Sequence, residues 1–149
     1  MTIYEAGILF RGFTLINSLY QESSKSEVDK DLRSGLISAI IIFAENAFSS
    51  SIMEYLEGTK FVIAFTQEQI MAVDSYSPET LIGYAILGKR KKIERYIQKK
   101  IQPLLNQCVL YFKEKYEGFN LSMTSQFDKF KEYLDSKFLP EKPKIKTIV

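Results

Sequence analysis

The longest apolar segment of the chain runs from Asp29 to Phe48, and its charged residues lie only at its ends. Within it, apolar residues recur at steps of three and four, which is the spacing of a helix face. Two neighbouring stripes result, Leu32, Leu36, Ile40, Phe43 and Ala47 in one, and Ile37, Ile41, Ala44 and Phe48 in the other. Three consecutive isoleucines also suit a buried strand, but the length of the segment favours a helix.

Two apolar stripes predict that this central helix is covered on two sides, by its own sheet and by a partner. A core helix that is buried on both sides without any partner explains the same pattern and stays open. The residues predicted to form the partner interface are Leu36, Ile37, Ile40, Ile41 and Ala44.

Short apolar segments on either side of the central helix predict strands. Ile3 to Phe10 and Phe13 to Tyr20 flank Arg11-Gly12, which predicts an antiparallel hairpin. Four further strand candidates follow the helix, and the third of them is the weakest: Ile52 to Leu56, Lys60 to Thr66, Gln69 to Asp74 and Thr80 to Leu87.

The last third of the chain has helical periodicity. Lys89 to Tyr116 predicts a long helix that Pro103 should kink or split, and Gly118 should close it. Thr124 or Ser125 can cap a short last helix that ends at Pro140. The predicted fold class is therefore α+β, with a five-stranded antiparallel sheet (hairpin, crossing helix, three-strand meander) and a long and a short C-terminal helix. Residues 1–139 form the predicted domain, and 140–149 a basic, flexible tail.

The composition excludes several classes of chemistry. The 149 residues include no histidine and one cysteine, Cys108, so imidazole catalysis, histidine metal ligands and a disulfide within the chain are ruled out. We find no carboxylates paired in an apolar setting, and we predict a non-enzymatic protein without cofactor or metal. The first residues do not have the pattern of a signal peptide, and no apolar run approaches the length of a membrane-spanning helix, which predicts a cytoplasmic protein.

The strongest charge feature lies at the start of the long predicted helix, although the net charge of the whole chain is only +2. It consists of Lys89, Arg90, Lys91, Lys92, Arg95, Lys99 and Lys100. Cations at a helix start oppose the helix dipole, so helix stability does not explain them. They suit the surface of an anionic membrane, an acidic partner or a nucleic-acid backbone, but a solvated helix face is the favoured explanation. Tyr96 is the only aromatic residue among them, which argues against nucleic acid.

The order of predicted elements resembles the longin domain of the longin and roadblock superfamily, especially its stand-alone, mostly archaeal versions. The resemblance rests on the hairpin IYEAGILFRGFTLINSLY, the helix DLRSGLISAIIIFAENAF, the strand pair EYLEGTKFVIAF and the helix that ends in LYFKEKY. It covers residues 3 to 138 and implies a longin-like (profilin-like) α/β/α sandwich.

The same resemblance implies a scaffold or adaptor rather than an enzyme. Such domains form homodimers, or heterodimers with a related longin or roadblock protein, and bind or regulate small Ras-like GTPases in membrane trafficking or polarity. Two alternatives stay open: a peripheral membrane adaptor that binds anionic lipid through the segment from Lys89 to Lys100, and a small-ligand sensor. The heptad segment and membrane anchor that follow the longin domains of vesicle-fusion proteins have no counterpart in this sequence, so a fusion role is not implied.

Overall fold

An antiparallel sheet forms the centre of the structure, a computed structural model that describes residues 3–20, 54–57 and 61–139. Its strands are β1 (Ile3–Phe10), β2 (Phe13–Leu19), β3 (Glu54–Glu57), β4 (Phe61–Ile70) and β5 (Glu79–Gly88). They lie side by side in the order β2-β1-β5-β4-β3, and each neighbouring pair is antiparallel. The first and last strands in sequence, β1 and β5, therefore pair in the middle of the sheet although the chain separates them widely.

The predicted N-terminal hairpin is confirmed. Phe10 pairs with Phe13, and the two residues between them, Arg11 and Gly12, have φ angles of 54° and 81°. A two-residue loop with both φ angles positive is a type I′ turn, whose twist matches that of the flanking strands. Glycine adopts this conformation readily, whereas Arg11 needs contacts that hold it there.

The predicted sheet is wrong as stated and needs correction. Gln69 to Asp74 is not a separate strand of a meander, because its first two residues end β4 and the others lie in the loop before β5. Four strands of seven to ten residues make up the body of the sheet, and the four-residue β3 pairs at the edge of β4. The architecture is compatible with the α+β class. The predicted crossing helix, which would supply the second helical layer of a sandwich, lies outside the described residues.

Helical segments follow β5 and cover one face of the sheet. They are α1 (Ile93–Tyr96), a π-helical turn (Ile97–Ile101), α2 (Gln102–Tyr116), a 3₁₀ turn (Thr124–Phe127) and α3 (Asp128–Phe138). The helical path begins at Ile93 rather than at Lys89, so the first four cations precede it. The interruption expected at Pro103 takes the form of the π turn just before it, where the N–H of Gln102 donates to the carbonyl of Ile97. Neither Thr124 nor Ser125 caps α3, because neither the 3₁₀ turn nor α3 has a side-chain cap.

Each face of the sheet carries its own apolar cluster, as the alternation of side chains along a strand requires. The face toward the helices includes Ile8, Val62 and Leu87, which pack with buried side chains of α2 and α3. The aromatic part of this core is dense, since the Phe112 ring lies 5.2 Å from that of Phe127 and 5.1 Å from that of Phe130. The opposite face carries Leu9, Phe61, Ile63, Phe65, Ile82, Tyr84 and Ile86, all of them buried.

Candidate functional site

The structure does not describe the residues of the predicted partner interface. Leu36, Ile37, Ile40, Ile41 and Ala44 lie outside the described residues, as does the basic tail at 140–149. The predicted basic cluster, in contrast, lies entirely within them. The structure therefore shows where each residue of this predicted site lies.

The basic cluster begins where β5 ends and lies at one end of the sheet. Leu87 pairs with Ile3 at this end, and Leu81 pairs with Phe10 at the other. The hairpin turn at Arg11 is therefore separated from Lys89 by the length of β5, roughly 30 Å for ten residues. Within 89–100, seven cations and one acidic residue give a net charge of +6, against +2 for the whole chain. The rest of the chain therefore carries −4.

Most of these cations surround one surface depression of about 520 Å³, which we call the basic groove. Its lining residues are Arg90, Lys92, Arg95, Tyr96, Lys99 and Lys100. They come from the loop after β5, from α1 and from the π turn. Lys91 and Lys89, which the sequence places in the same cluster, do not line it. The groove contains no carboxylate, because Glu94 is also absent from its lining.

Two local irregularities of the backbone shape the groove. Lys92 precedes α1 in the left-handed conformation, with a φ of 58°, which a residue with a Cβ rarely adopts. The π turn then widens the helical path, and Gln98, Lys99 and Lys100 are three consecutive exposed side chains on it. Pro103 explains the widening, because it has no N–H to donate and its ring would clash with the carbonyl of the preceding turn.

The side chains of the groove are held by few internal contacts. The guanidinium of Arg90 lies 5.2 Å from the centre of the Tyr96 ring, a cation–π distance. Burial beside this site raises the pKa of the Tyr96 hydroxyl, while the nearby Arg90 opposes the shift. Among residues 3–20, 54–57 and 61–139, no ion pair involves Arg90, Lys92, Arg95, Lys99 or Lys100. Their charges thus face solvent and are free to meet an external anion.

No carboxylate, thiol or imidazole lines the groove. Cys108 lies elsewhere, in the core, where burial raises the pKa of its thiol to about 12 and leaves it unreactive. No group of three potential metal ligands occurs in the part of the chain that the structure describes. Nor does any helix described there combine the length and apolar character needed to cross a bilayer.

A second charged feature, at the opposite end of the sheet, was not predicted from the sequence. The guanidinium of Arg11 donates to both carboxylate oxygens of Glu79 (Nε to Oε1 2.8 Å, Nη2 to Oε2 2.6 Å) and to Asp74 at 3.0 Å. These bonds lower the pKa of the Glu79 carboxyl to about 2, and that of Asp74 is lowered too. The pairs tie the hairpin turn to the loop before β5. Arg11, Asp74 and Glu79 together therefore form a structural clamp at this end.

A buried carboxylate is a further feature that sequence analysis missed. Glu5 lies on β1 with 1% of its surface exposed, and the Tyr84 hydroxyl on β5 donates to it. The Asn17 side-chain amide donates to the same oxygen at 3.3 Å. Gly7 leaves room for the Tyr84 ring, since a Cβ there would lie 2.8 Å from it. Glu5 is not open to a substrate, so its bonds join the strands.

Comparison of the chain with protein-family models, with curated proteins and with solved structures finds no match. The resemblance to the longin domain therefore stays a prediction that rests on the residues quoted for it. The geometry of the basic groove is the observation from which a function can be argued.

Proposed function

We propose that this protein is a non-enzymatic adaptor that attaches reversibly to anionic lipid surfaces through the basic groove. The observation that carries the proposal is the convergence of five cations on one exposed depression in which the described residues supply no counter-charge. Long basic side chains that form no ion pair favour contact with an external anionic surface. With Tyr96 as its only aromatic residue, the groove has no platform on which successive bases could stack.

The distribution of charge over the molecule favours a membrane over a small acidic partner. The segment 89–100 carries +6 at one end of the sheet, and the remaining residues carry −4 in total. Acidic residues Glu68, Asp74, Glu79 and Glu117 are positioned around the loop at the other end. An extended anionic surface would attract the first end and repel the second, and so orient the whole molecule.

The expected attachment is weak. Each Lys or Arg near an anionic bilayer contributes about 1 kcal/mol, so the five cations of the groove supply on the order of 5 kcal/mol. This is comparable to the marginal binding given by a single myristoyl chain, and screening by salt weakens it. We therefore expect reversible binding that disappears at high ionic strength.

Co-sedimentation with vesicles tests the proposal. Vesicles of phosphatidylcholine with roughly one-fifth phosphatidylserine should bind the protein, and pure phosphatidylcholine should not. Replacing Lys99 and Lys100 by Gln removes about 2 kcal/mol and should weaken binding roughly 30-fold. The matched control replaces Lys129 and Lys131 by Gln, because these lysines are also exposed but lie on α3 outside the groove.

The control should bind nearly as tightly as the unaltered protein. An equal loss in both double variants would mean that net charge alone governs binding and that the groove has no special role. Binding that ignores both salt and phosphatidylserine would contradict the proposal altogether.

The scaffold that the longin resemblance implies, a dimer that binds a small Ras-like GTPase, is a separate proposal. It depends on the interface predicted between Leu36 and Ala44, which lies outside the described residues. Light scattering during size exclusion tests its first step. A mass near twice 17.2 kDa would support a homodimer, and Ile41→Asp should then reduce it to one chain if Ile41 is at the interface. A single-chain mass at every concentration would contradict the homodimer.

A further inference from the structure

The basic groove is more concentrated in charge than attachment to a simple anionic bilayer requires. Five cations line a depression of about 520 Å³, a volume within the range of small-molecule sites, roughly 300 to 1,000 Å³. A phosphatidylserine headgroup carries one net negative charge. A ligand that fills this groove and matches its charge must therefore bring several negative charges close together.

Phosphomonoesters meet this requirement. Each carries about −1.5 to −2 charges near neutral pH, so two or three of them match five cations. The groove also offers the appropriate donors, because Arg90 and Arg95 present planar forks that bind phosphate in a bidentate manner, and its three lysines add point charges. Isolated carboxylates carry less charge and accept fewer hydrogen bonds.

The backbone around the groove supports a discrete site rather than a diffuse basic surface. The left-handed conformation of Lys92 and the π turn at Ile97–Ile101 are both uncommon, and both occur within ten residues of each other at the groove. Backbone conformations of these two kinds are found disproportionately at functional sites. The stacking of Arg90 on Tyr96 reduces the freedom of one guanidinium before any ligand arrives.

We infer that the basic groove binds a ligand that carries two or three clustered phosphomonoesters, such as the headgroup of a multiply phosphorylated inositol lipid. The inference deepens the proposed function and rests on it for the lipid source. A soluble polyphosphate has the same chemistry, and the test must separate the two sources.

The test compares vesicles of equal surface charge. One set contains about one-fifth phosphatidylserine, and the other about one-twentieth phosphatidylinositol 4,5-bisphosphate, whose headgroup carries roughly four charges. We expect at least about tenfold tighter binding to the second set, and we expect soluble inositol 1,4,5-trisphosphate to compete with it. Arg95→Lys keeps the charge and removes the fork, so it should reduce this preference several-fold while binding to phosphatidylserine vesicles stays unchanged. Lys129→Arg, at an exposed position outside the groove, is the matched control and should change neither.

The possible results separate the two proposals. Equal binding to both vesicle sets would overturn the inference and leave the proposed lipid attachment standing. Binding of inositol trisphosphate by calorimetry, without attachment to either vesicle set, would uphold the phosphomonoester site, assign it to a soluble ligand and overturn the lipid attachment. Absence of binding to the vesicles and to the trisphosphate would overturn both.

Discussion

Arg11 provides a sharp test of how the structure is held together, because one side chain joins three segments of the chain. Its guanidinium forms a bidentate pair with Glu79, and Ser75 donates a further bond of 2.6 Å to the same carboxylate. The side chain is 38% exposed, so the pair with Glu79 belongs to the class of surface pairs. Exposed ion pairs stabilise the folded state by about 0.2 to 1 kcal/mol, and the bidentate geometry places the Arg11–Glu79 pair at the upper end of this range.

We therefore expect Arg11→Ala to lower the free energy of unfolding by about 1 kcal/mol at pH 6. Arg11→Gly removes the same pair but also relieves the positive φ of 54°, which costs a residue with a Cβ about 1 kcal/mol. The glycine variant should thus be close to the unaltered protein. Urea unfolding followed by far-ultraviolet circular dichroism measures both, and a Glu79→Gln variant completes a double-mutant cycle.

The stabilisation by the Arg11–Glu79 pair should depend on pH, and the direction of this dependence follows from the pKa of Glu79. The pKa of Glu79 is lowered to about 2 in the folded chain, chiefly by its bond to Arg11, from an ordinary value near 4.5. A lowered carboxyl pKa stabilises the folded state above the ordinary value, and this stabilisation is lost as the pH falls toward 2. The gap between the unaltered protein and Arg11→Ala should shrink over that window. A constant gap from pH 6 to pH 3, or a coupling energy near zero in the cycle, would refute the reasoning.

Three further predictions concern the core. Phe112→Ala should lower the free energy of unfolding by about 3 to 5 kcal/mol, because the ring is fully buried among Tyr116, Phe127 and Phe130; a loss below about 1 kcal/mol in urea unfolding would contradict this packing. Gly7→Ala should cost about 1 to 3 kcal/mol by the same assay, because its Cβ would lie 2.5 Å from the Ile16 carbonyl oxygen, and an unchanged stability would count against this register. Cys108 should react with a thiol reagent at pH 8 only after denaturant is added, since burial raises its pKa to about 12; rapid reaction of the folded protein would show that the thiol is accessible.

Periodicity predicted the parts of the fold that depend on local pattern. In the long predicted helix, apolar residues recur at steps of three and four, and all of them are buried except Leu104, which is partly buried: Ile93, Ile97, Ile101, Leu104, Cys108, Phe112 and Tyr116. The same method failed between Gln69 and Asp74. Ile70 and Ala72 are buried there, which gave the segment its strand-like pattern, but only Ile70 belongs to a strand. Burial and strand pairing are separate properties, and a short apolar run does not distinguish them.

The features that shape the candidate site depend on contacts and conformations that no local pattern reveals. The sequence showed the cations of the basic groove, but not which of them share one depression. That selection depends on the left-handed Lys92 and on the π turn before Pro103. The clamp joins Arg11 to a carboxylate 68 residues away, and the buried Glu5 meets a tyrosine 79 residues away. Both contacts depend on the order of the strands in the folded sheet, which a local sequence pattern does not reveal.

The most direct test of the central claim is a map of the binding surface in the intact protein. Amide resonances of the nitrogen-15-labelled chain would be recorded while bicelles that contain phosphatidylserine are added, with phosphatidylcholine bicelles as the reference. We predict that the largest shifts fall between Gly88 and Gln102, around the basic groove, and that they vanish at high salt. Shifts concentrated on β2 or α3, or no difference between the two kinds of bicelle, would contradict the proposal that this groove is the functional surface.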